Sequence, residues 1–227
     1  EEKERKVKRP KLFSQGKLQN VMNTKYGYSP KETLECVQQL YLSGYVTYPR
    51  TSSEYMATAE IPKAQEIINA FNKEWNCCLE LRNEKSIFDD SKVESHSAIT
   101  PTNKLPDCEK LDIKLKNTYT EILNRFKAVF YRDDYIIKQT ILLISNGNRE
   151  FKLNGNVTVN AGWSIFTSEK KEKQLPDLNV DDVVNVDFKP VQKETTPPKH
   201  YTVTSLNNFM INPFRKENSE NDDEEYK

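Results

Sequence analysis

Two short segments of this 227-residue chain combine residue types that handle phosphate esters. The first runs Gly44-Tyr45-Val46-Thr47-Tyr48-Pro49-Arg50-Thr51-Ser52-Ser53. Tyr48 precedes a proline, which pushes its backbone out of the helical region toward an extended shape. Arg50 lies two positions on, so an extended segment turns both side chains to one side. A tyrosine hydroxyl can form a covalent ester with phosphorus, but with an ordinary pKa of about 10 it is a weak nucleophile until its proton leaves. A guanidinium grips two phosphate oxygens at once and stabilises the charge that builds in the transition state. The proline alone also explains a turn here, so a purely structural reading stays open.

The second segment is Glu94-Ser95-His96-Ser97-Ala98-Ile99-Thr100-Pro101-Thr102. Its histidine can donate to a phosphate oxygen or relay a proton. A solvated or capping loop histidine is the competing reading. The chain has 6 glycines, with neither a GxGxxG nor a GxxxxGK[ST] run, which excludes a nucleotide-hydrolysing phosphate loop. His96 and His200 are too few and too far apart for a metal centre. Cys36, Cys77, Cys78 and Cys108 form no CxxC pair. Reduced thiols in an intracellular protein are expected.

The elements that must position these segments are legible as patterns. Ser14 can cap a short helix carrying Leu18, Val21 and Met22. Ser29, Pro30 and Glu32 form a capping box with proline at the first helical position, followed by Leu34, Val37, Leu40 and Tyr41 on one face. Gly44 is a natural stop. Ile61, Ala64, Ile67, Ile68, Phe71 and Trp75 predict a helix over about 60–75. Ile122, Leu123, Phe126, Val129 and Phe130 predict another over about 117–131. After about Asp134 the period switches to two. Ile137, Gln139, Ile141 and Leu143 alternate with their neighbours, Asn146-Gly147 signals a hairpin, and Phe151, Leu153, Val157 and Val159 form the return strand. Val183 to Phe188 reads as another strand, and Thr204 as the cap of a short helix with Leu206, Phe209 and Met210.

Composition bounds the rest. Lysine plus arginine and aspartate plus glutamate both number 34, so net charge is zero, which argues against a generally basic nucleic-acid binder. Hydrophobic residues are 36% and charged residues 30%, implying much surface per unit of core. No apolar run approaches the roughly 18 residues of a helical membrane span. Charge is distributed unevenly: seven basic and three acidic residues fall between Glu1 and Lys17, which reads as a solvated linker. Six acids and three bases fall between Arg215 and Lys227, which reads as a disordered tail. The chain opens on Glu1 without a signal peptide and reads as part of something longer.

The stretch from Leu40 to Ser53 resembles the active-site segment of type IA DNA topoisomerases, LYE-x-G-x-I-T-Y-x-R-T-D-S, and its Tyr-Pro-Arg form is similar to the topoisomerase III branch. His96-Ser97-Ala98-Ile99-Thr100-Pro101-Thr102 resembles that family's H-x-A-I-x-P-T motif. Three weaker echoes fall in the same order: Leu12-Phe13 through Leu18-Gln19, Gly162-Trp163, and Pro197-Pro198-Lys199-His200-Tyr201-Thr202. The likeness is colinear over about residues 10–210.

The resemblance implies that Tyr48 is the nucleophile that opens one DNA strand and forms a 5′-phosphotyrosyl link. It further implies that Arg50 holds the scissile phosphate and that His96 contacts phosphate nearby. Thr47, Thr51, Ser52, Ser97 and Thr102 are the implied DNA contacts. The ester conserves the bond energy, so resealing needs no ATP. A strand passes through a gate formed when the tyrosine-bearing domain lifts away. Magnesium would be held by a DxDxxxE motif on a toprim domain; this chain has no such motif, so none of its residues is assigned to metal. Implied partners are single-stranded DNA and that toprim domain of the same polypeptide. A monomer in the bacterial cytoplasm, associated with DNA and with no membrane, is expected. Two departures stand out: Leu42 replaces a common glutamate, and Ser52 replaces the usual aspartate after the arginine, with Glu54 nearby as a candidate substitute.

The expected fold is α+β: a helical, winged-helix-like domain inserted into an antiparallel β arch, as in domains II and III of that family. Residues 1–10 would be a charged linker or the end of the arch, whose first part would precede residue 1. Residues 11–133 would be the tyrosine-bearing domain, 134–199 an arch segment, and 200–227 the start of a further domain. A fragment inactive without its magnesium domain is one functional reading. A non-catalytic module that holds single-stranded DNA, with Tyr48, Tyr45 and Trp75 as core or stacking residues, is the other.

Overall fold

Strand β1, Glu2–Lys6, pairs antiparallel with strand β2, Ile136–Asn146, although the whole helical unit lies between them in sequence. The register runs from Glu2 opposite Thr140 to Lys6 opposite Ile136. Strand β3, Arg149–Asn160, returns along β2, giving the order β1-β2-β3. The architecture is therefore α+β, with helices inserted between two neighbouring strands of one antiparallel sheet. The computed structural model describes residues 1–107, 109–167, 172–185 and 191–213.

The hairpin closes on Asn146 opposite Arg149, so Gly147 and Asn148 are its two loop residues, one position later than Asn146-Gly147 predicts. Gly147 has φ 60°, the left-handed conformation such a turn demands. The basic opening segment, expected as a charged linker or the end of the arch, contains an edge strand. Its residues are all exposed, so no apolar alternation betrays it. The ladder with β2 and the Glu2–Lys138 ion pair at 2.8 Å hold it.

Four helices form the inserted unit. Helix α1, Gln15–Tyr26, is capped by Ser14, whose hydroxyl accepts from Lys17 N at 3.4 Å. Helix α2, Pro30–Leu42, begins with the predicted box: Ser29 Oγ accepts from Glu32 N, and Glu32 Oε2 accepts from Ser29 N at 2.9 Å. Lys114 and the Ser29 donors hold the Glu32 carboxyl down at about 2. Helix α3 is Ile61–Trp75. Helix α4, Ile113–Phe130, starts four residues before the predicted onset because Asp112 supplies a cap, accepting from Lys114 N at 2.9 Å. Phe13, Phe71, Tyr119, Phe126 and Phe130 are fully buried at the centre of one core. Phe126 sits between Phe71 and Phe130, with ring centroids 5.8 and 4.7 Å away.

After the sheet, helix α5, Val203–Ile211, is capped by Thr202 rather than Thr204, because Ser205 completes a box with Thr202. It docks on α1 through Asn207, which donates to Gly16 O and Asn20 Oδ1. Val183 to Asn185 are irregular, not strand, and the rest of that predicted strand lies outside the described residues. So do Cys108 and the acidic tail. No helix among the described residues is long and apolar enough to cross a membrane.

Two crossings tie the helical unit to the sheet, and Arg9 clamps them. Its guanidinium, 13% exposed, donates to Ala128 O and Asp133 O at 3.1 Å and to Asp134 Oδ1 at 2.7 Å. Lys6 reaches Asp134 Oδ2 at 3.0 Å, and Val7 N donates to Tyr135 O. Gly162, at φ 45°, passes so close that a Cβ would lie 2.2 Å from the Asp134 carbonyl. Trp163 then packs on Tyr135 and Ala128 as a separate small cluster.

Inside the unit, two segments about fifty residues apart are laced together. Thr47 N donates to Thr100 O at 2.9 Å, and Thr102 N donates to Tyr45 O at 3.0 Å. The Thr47 hydroxyl accepts from Thr100 N at 2.9 Å and donates to Ala98 O at 3.2 Å. Ile99 N donates to Phe13 O, and Gln15 N donates to Thr51 O. Val46, Ala98 and Ile99 are buried beneath.

Lys6 first and Arg9 second hold the Asp134 carboxyl below its ordinary value. A depressed carboxyl contributes stability that is complete above its unfolded pKa of about 4 and is lost as pH falls through the folded value. Asp134→Asn is therefore expected to cost about 1–2 kcal/mol at pH 7 and progressively less toward pH about 3. Urea denaturation at both pH values checks this, and an equal loss at both would contradict it. Thr47→Val keeps the side-chain shape but leaves Thr100 N and Ala98 O without their hydroxyl partner. An expected loss of about 1–3 kcal/mol, recovered by Thr47→Ser, is read from the urea midpoints.

Candidate active site

The lacing places Tyr48 directly beside His96. Their ring centroids lie 4.4 Å apart with planes inclined at 46°. On its other flank Tyr48 meets Tyr41, at the end of α2, edge to face at 5.5 Å. Pro49 is buried and Tyr48 half-buried, so the ring is held while part of it meets solvent. Gly44, at φ 78°, ends α2 and lets the chain reverse into the Tyr45–Tyr48 segment. Thr51 fixes the opposite edge: its hydroxyl donates to His96 O at 2.8 Å and accepts from Ser53 N at 3.1 Å.

The residues named from sequence divide into two groups. Arg50 and Ser52 are exposed, with no bonded partner among the described residues. His96 is exposed and Ser97 half-buried. Ser97 Oγ accepts from Ala57 N at 3.1 Å, which ties its loop to the approach to α3. Thr47, Thr51 and Thr102 are placed otherwise. Each donates its single hydroxyl proton to a backbone carbonyl, Thr102 to Gly44 O at 2.7 Å. These three hydroxyls brace the loops that carry Tyr48 and His96. Glu54, the candidate substitute for the missing aspartate, faces Lys11 at 3.8 Å. No bond joins it to His96 among the described residues.

A groove of about 370 Å³ opens alongside Tyr48. Its walls include Tyr48, His96, Ser97 and Tyr41, and also Glu60 and Lys63 from the start of α3. Sequence reasoning assigns Glu60 and Lys63 no role, since helical periodicity places them only on a polar face. Another groove, of about 270 Å³, is lined by Glu32, Glu35 and Asp112 with Lys114, and contains none of the site residues. Beside Tyr48 the one carboxylate in the groove wall is Glu60, which also accepts from Ala57 N at 3.3 Å. That donor set does not fit magnesium, which requires several oxygen ligands. No group of three or more His, Cys, Asp and Glu side chains is placed to hold a metal among the described residues.

The chain resembles known proteins along nearly its whole length. The family model described as DNA topoisomerase matches residues 1–212. DNA topoisomerase 3 of Bacillus cereus is 30% identical over 97% of this chain, which covers 33% of that protein. DNA topoisomerase 1 of Methanocaldococcus jannaschii is 33% identical over 89% of this chain and 27% of its own length. The solved structure of full-length topoisomerase I from Thermotoga maritima superposes with a TM-score of 0.66 at 21% identity, over 93% of this chain and 36% of that one. The chain thus spans about a third of the length of the curated relatives it matches. With a family model spanning helical unit, sheet and α5 alike, the chain belongs to the type IA DNA topoisomerases.

Proposed function

We propose that this chain carries the strand-cleaving tyrosine of an ATP-independent topoisomerase that opens and reseals one DNA strand. The observation that carries the reading is the contact of Tyr48 with His96, with the unpaired Arg50 two residues along. Tyr48 Oη gives up its proton and attacks a backbone phosphorus. The new Oη–P bond forms as the bond to the 3′ oxygen breaks, and that oxygen leaves with the electron pair and takes up a proton. The product is a 5′-phosphotyrosyl ester and a free 3′ hydroxyl. Resealing reverses the exchange, with one ester traded for another and no ATP needed.

Arg50 grips two phosphate oxygens and stabilises the charge that grows on them. His96, its ring tilted against the tyrosine, donates a ring N–H to the same phosphate. Ser52 and Ser97 are further donors to the backbone of a single strand. Thr47, Thr51 and Thr102 act one step back, by fixing where the loops lie. Magnesium would be held by a toprim domain elsewhere in the polypeptide, where it would help neutralise phosphate charge. The substrate is single-stranded DNA.

Trapping on a denaturing gel tests the reading in the complete polypeptide. Protein joined to the 5′ phosphate of a labelled single strand is expected for the wild type and absent for Tyr48→Phe. Arg50→Ala is expected to lower adduct formation about 100- to 1000-fold, the scale of removing one charge-stabilising donor. Adducts that persist at wild-type levels in Tyr48→Phe would show that another residue is the nucleophile. DNA binding with no adduct in any variant would favour a module that only holds the strand.

A further inference from the structure

The groove beside Tyr48 has a cationic wall residue that the cleavage chemistry leaves unused. Lys63 stands in the first turn of α3 and is exposed. It lines the groove together with Tyr48, His96 and Ser97, and it is the one lysine or arginine in that lining. Arg50, assigned to the scissile phosphate, is not part of the groove wall. Lys63 makes no ion pair with any acid among the described residues, Glu60 of the same wall included. Many other cations of the chain are bound to carboxylates: Lys6 and Arg9 to Asp134, Lys25 to Glu121, Lys114 to Glu32 and Lys138 to Glu2.

Local structure fixes where the lysine stands. Ala57 N donates to both Ser97 Oγ and Glu60 Oε2, tying the entry of α3 to the His96 loop. Pro62 sits in the first turn, with its φ already preset for a helix. Ala64, which follows Lys63, is fully buried in the core and anchors that turn. A flexible four-carbon stem on such a base suits a point-charge contact to a phosphate rather than a bidentate grip. Lys63 and Tyr48 line the same groove, so a strand held at Tyr48 can bring a neighbouring phosphate to Lys63.

We propose that Lys63 binds a backbone phosphate adjacent to the scissile one, so that the strand lies along the groove from Tyr48 to the start of α3. This rests on the assignment of Tyr48 as the cleavage site. Lys63 is then a DNA-binding residue that sets the register of the strand over the tyrosine, while Arg50 serves the reacting phosphate itself.

Affinity for a fluorescent oligothymidylate, measured against salt concentration, reads this directly. Losing one phosphate contact on a single strand lowers the slope of log affinity against log salt by about 0.7. Lys63→Ala is expected to show that change, with affinity near 0.1 M salt falling roughly three- to tenfold. Lys63→Arg should keep the wild-type slope, and Lys63→Glu should lose more than the alanine variant. Because the side chain is exposed, all three should melt within a few degrees of the wild type. A wild-type slope in Lys63→Ala, alongside a reduced slope in Arg50→Ala, would overturn the inference and leave the cleavage assignment standing. Adducts in Tyr48→Phe would overturn the cleavage assignment, while a reduced slope in Lys63→Ala would still establish the phosphate contact. All of these measurements use the complete polypeptide, and no affinity of the wild type for the oligonucleotide at low salt would overturn both.

Discussion

A short lacing of main chain, too brief to form a sheet, brings the candidate site together. Residues 45–47 run beside residues 98–102, and one hydroxyl, on Thr47, is bonded on both its accepting and donating sides. Closing a loop of this length costs entropy that grows only slowly with its size, but nothing local returns that cost. The return comes from burying Val46, Ala98 and Ile99 against Phe13 and the four-helix core. Tyr48 and His96 are therefore neighbours only when the unit is folded. Thr51 and Thr102 extend the same arrangement to either side, so the reactive side chains rest on hydroxyls that face the backbone.

Several elements were legible because a local rule sufficed. Ser29, Pro30 and Glu32 specify their helix start through bonds within one turn, and Gly147 specifies its turn through one backbone angle. The pairing of Tyr48 with His96 was legible only through resemblance to a family, since neither tripeptide nor spacing implies contact between them. Strand β1 was hidden because its partner decides it: a polar, fully exposed strand carries no pattern of its own. The start of α5 was displaced by two residues because Thr202 and Thr204 are equally good caps in isolation. Ser205 completes the box with the first of them. Lys63 was invisible for the opposite reason. Its helix was correctly placed, but the groove it lines exists only once the loops of Tyr48 and His96 come together beside the start of that helix.

The junction with the sheet obeys a separate constraint. Trp163, Tyr135 and Ala128 form a cluster apart from the main core, and Arg9 bonds to the end of α4 and to the Asp133 carbonyl and Asp134 carboxylate beyond it. The helical unit keeps nearly all its apolar contacts to itself. The sheet holds it through a charged clamp and one small aromatic cluster. A unit built this way is a stable body whose attachment is weaker than its interior, because hydrophobic burial scales with area and little area is shared. Its site geometry depends on its own core rather than on the sheet.

The exact balance of charge across the chain is consistent with binding a polyanion once pairing is considered. Lys6, Arg9, Lys25, Lys114 and Lys138 are each held by a carboxylate within 4.0 Å, so their fields are largely cancelled a short distance away. Arg50 and Lys63 have no such partner among the described residues; Arg50 lies two residues along from Tyr48, and Lys63 lines the groove with Tyr48, His96 and Ser97. Screening shortens the reach of a charge to roughly 8–10 Å at moderate salt, so what a phosphate meets is the local sum and not the molecular total. A neutral molecule can thus be strongly attractive at one groove and indifferent elsewhere.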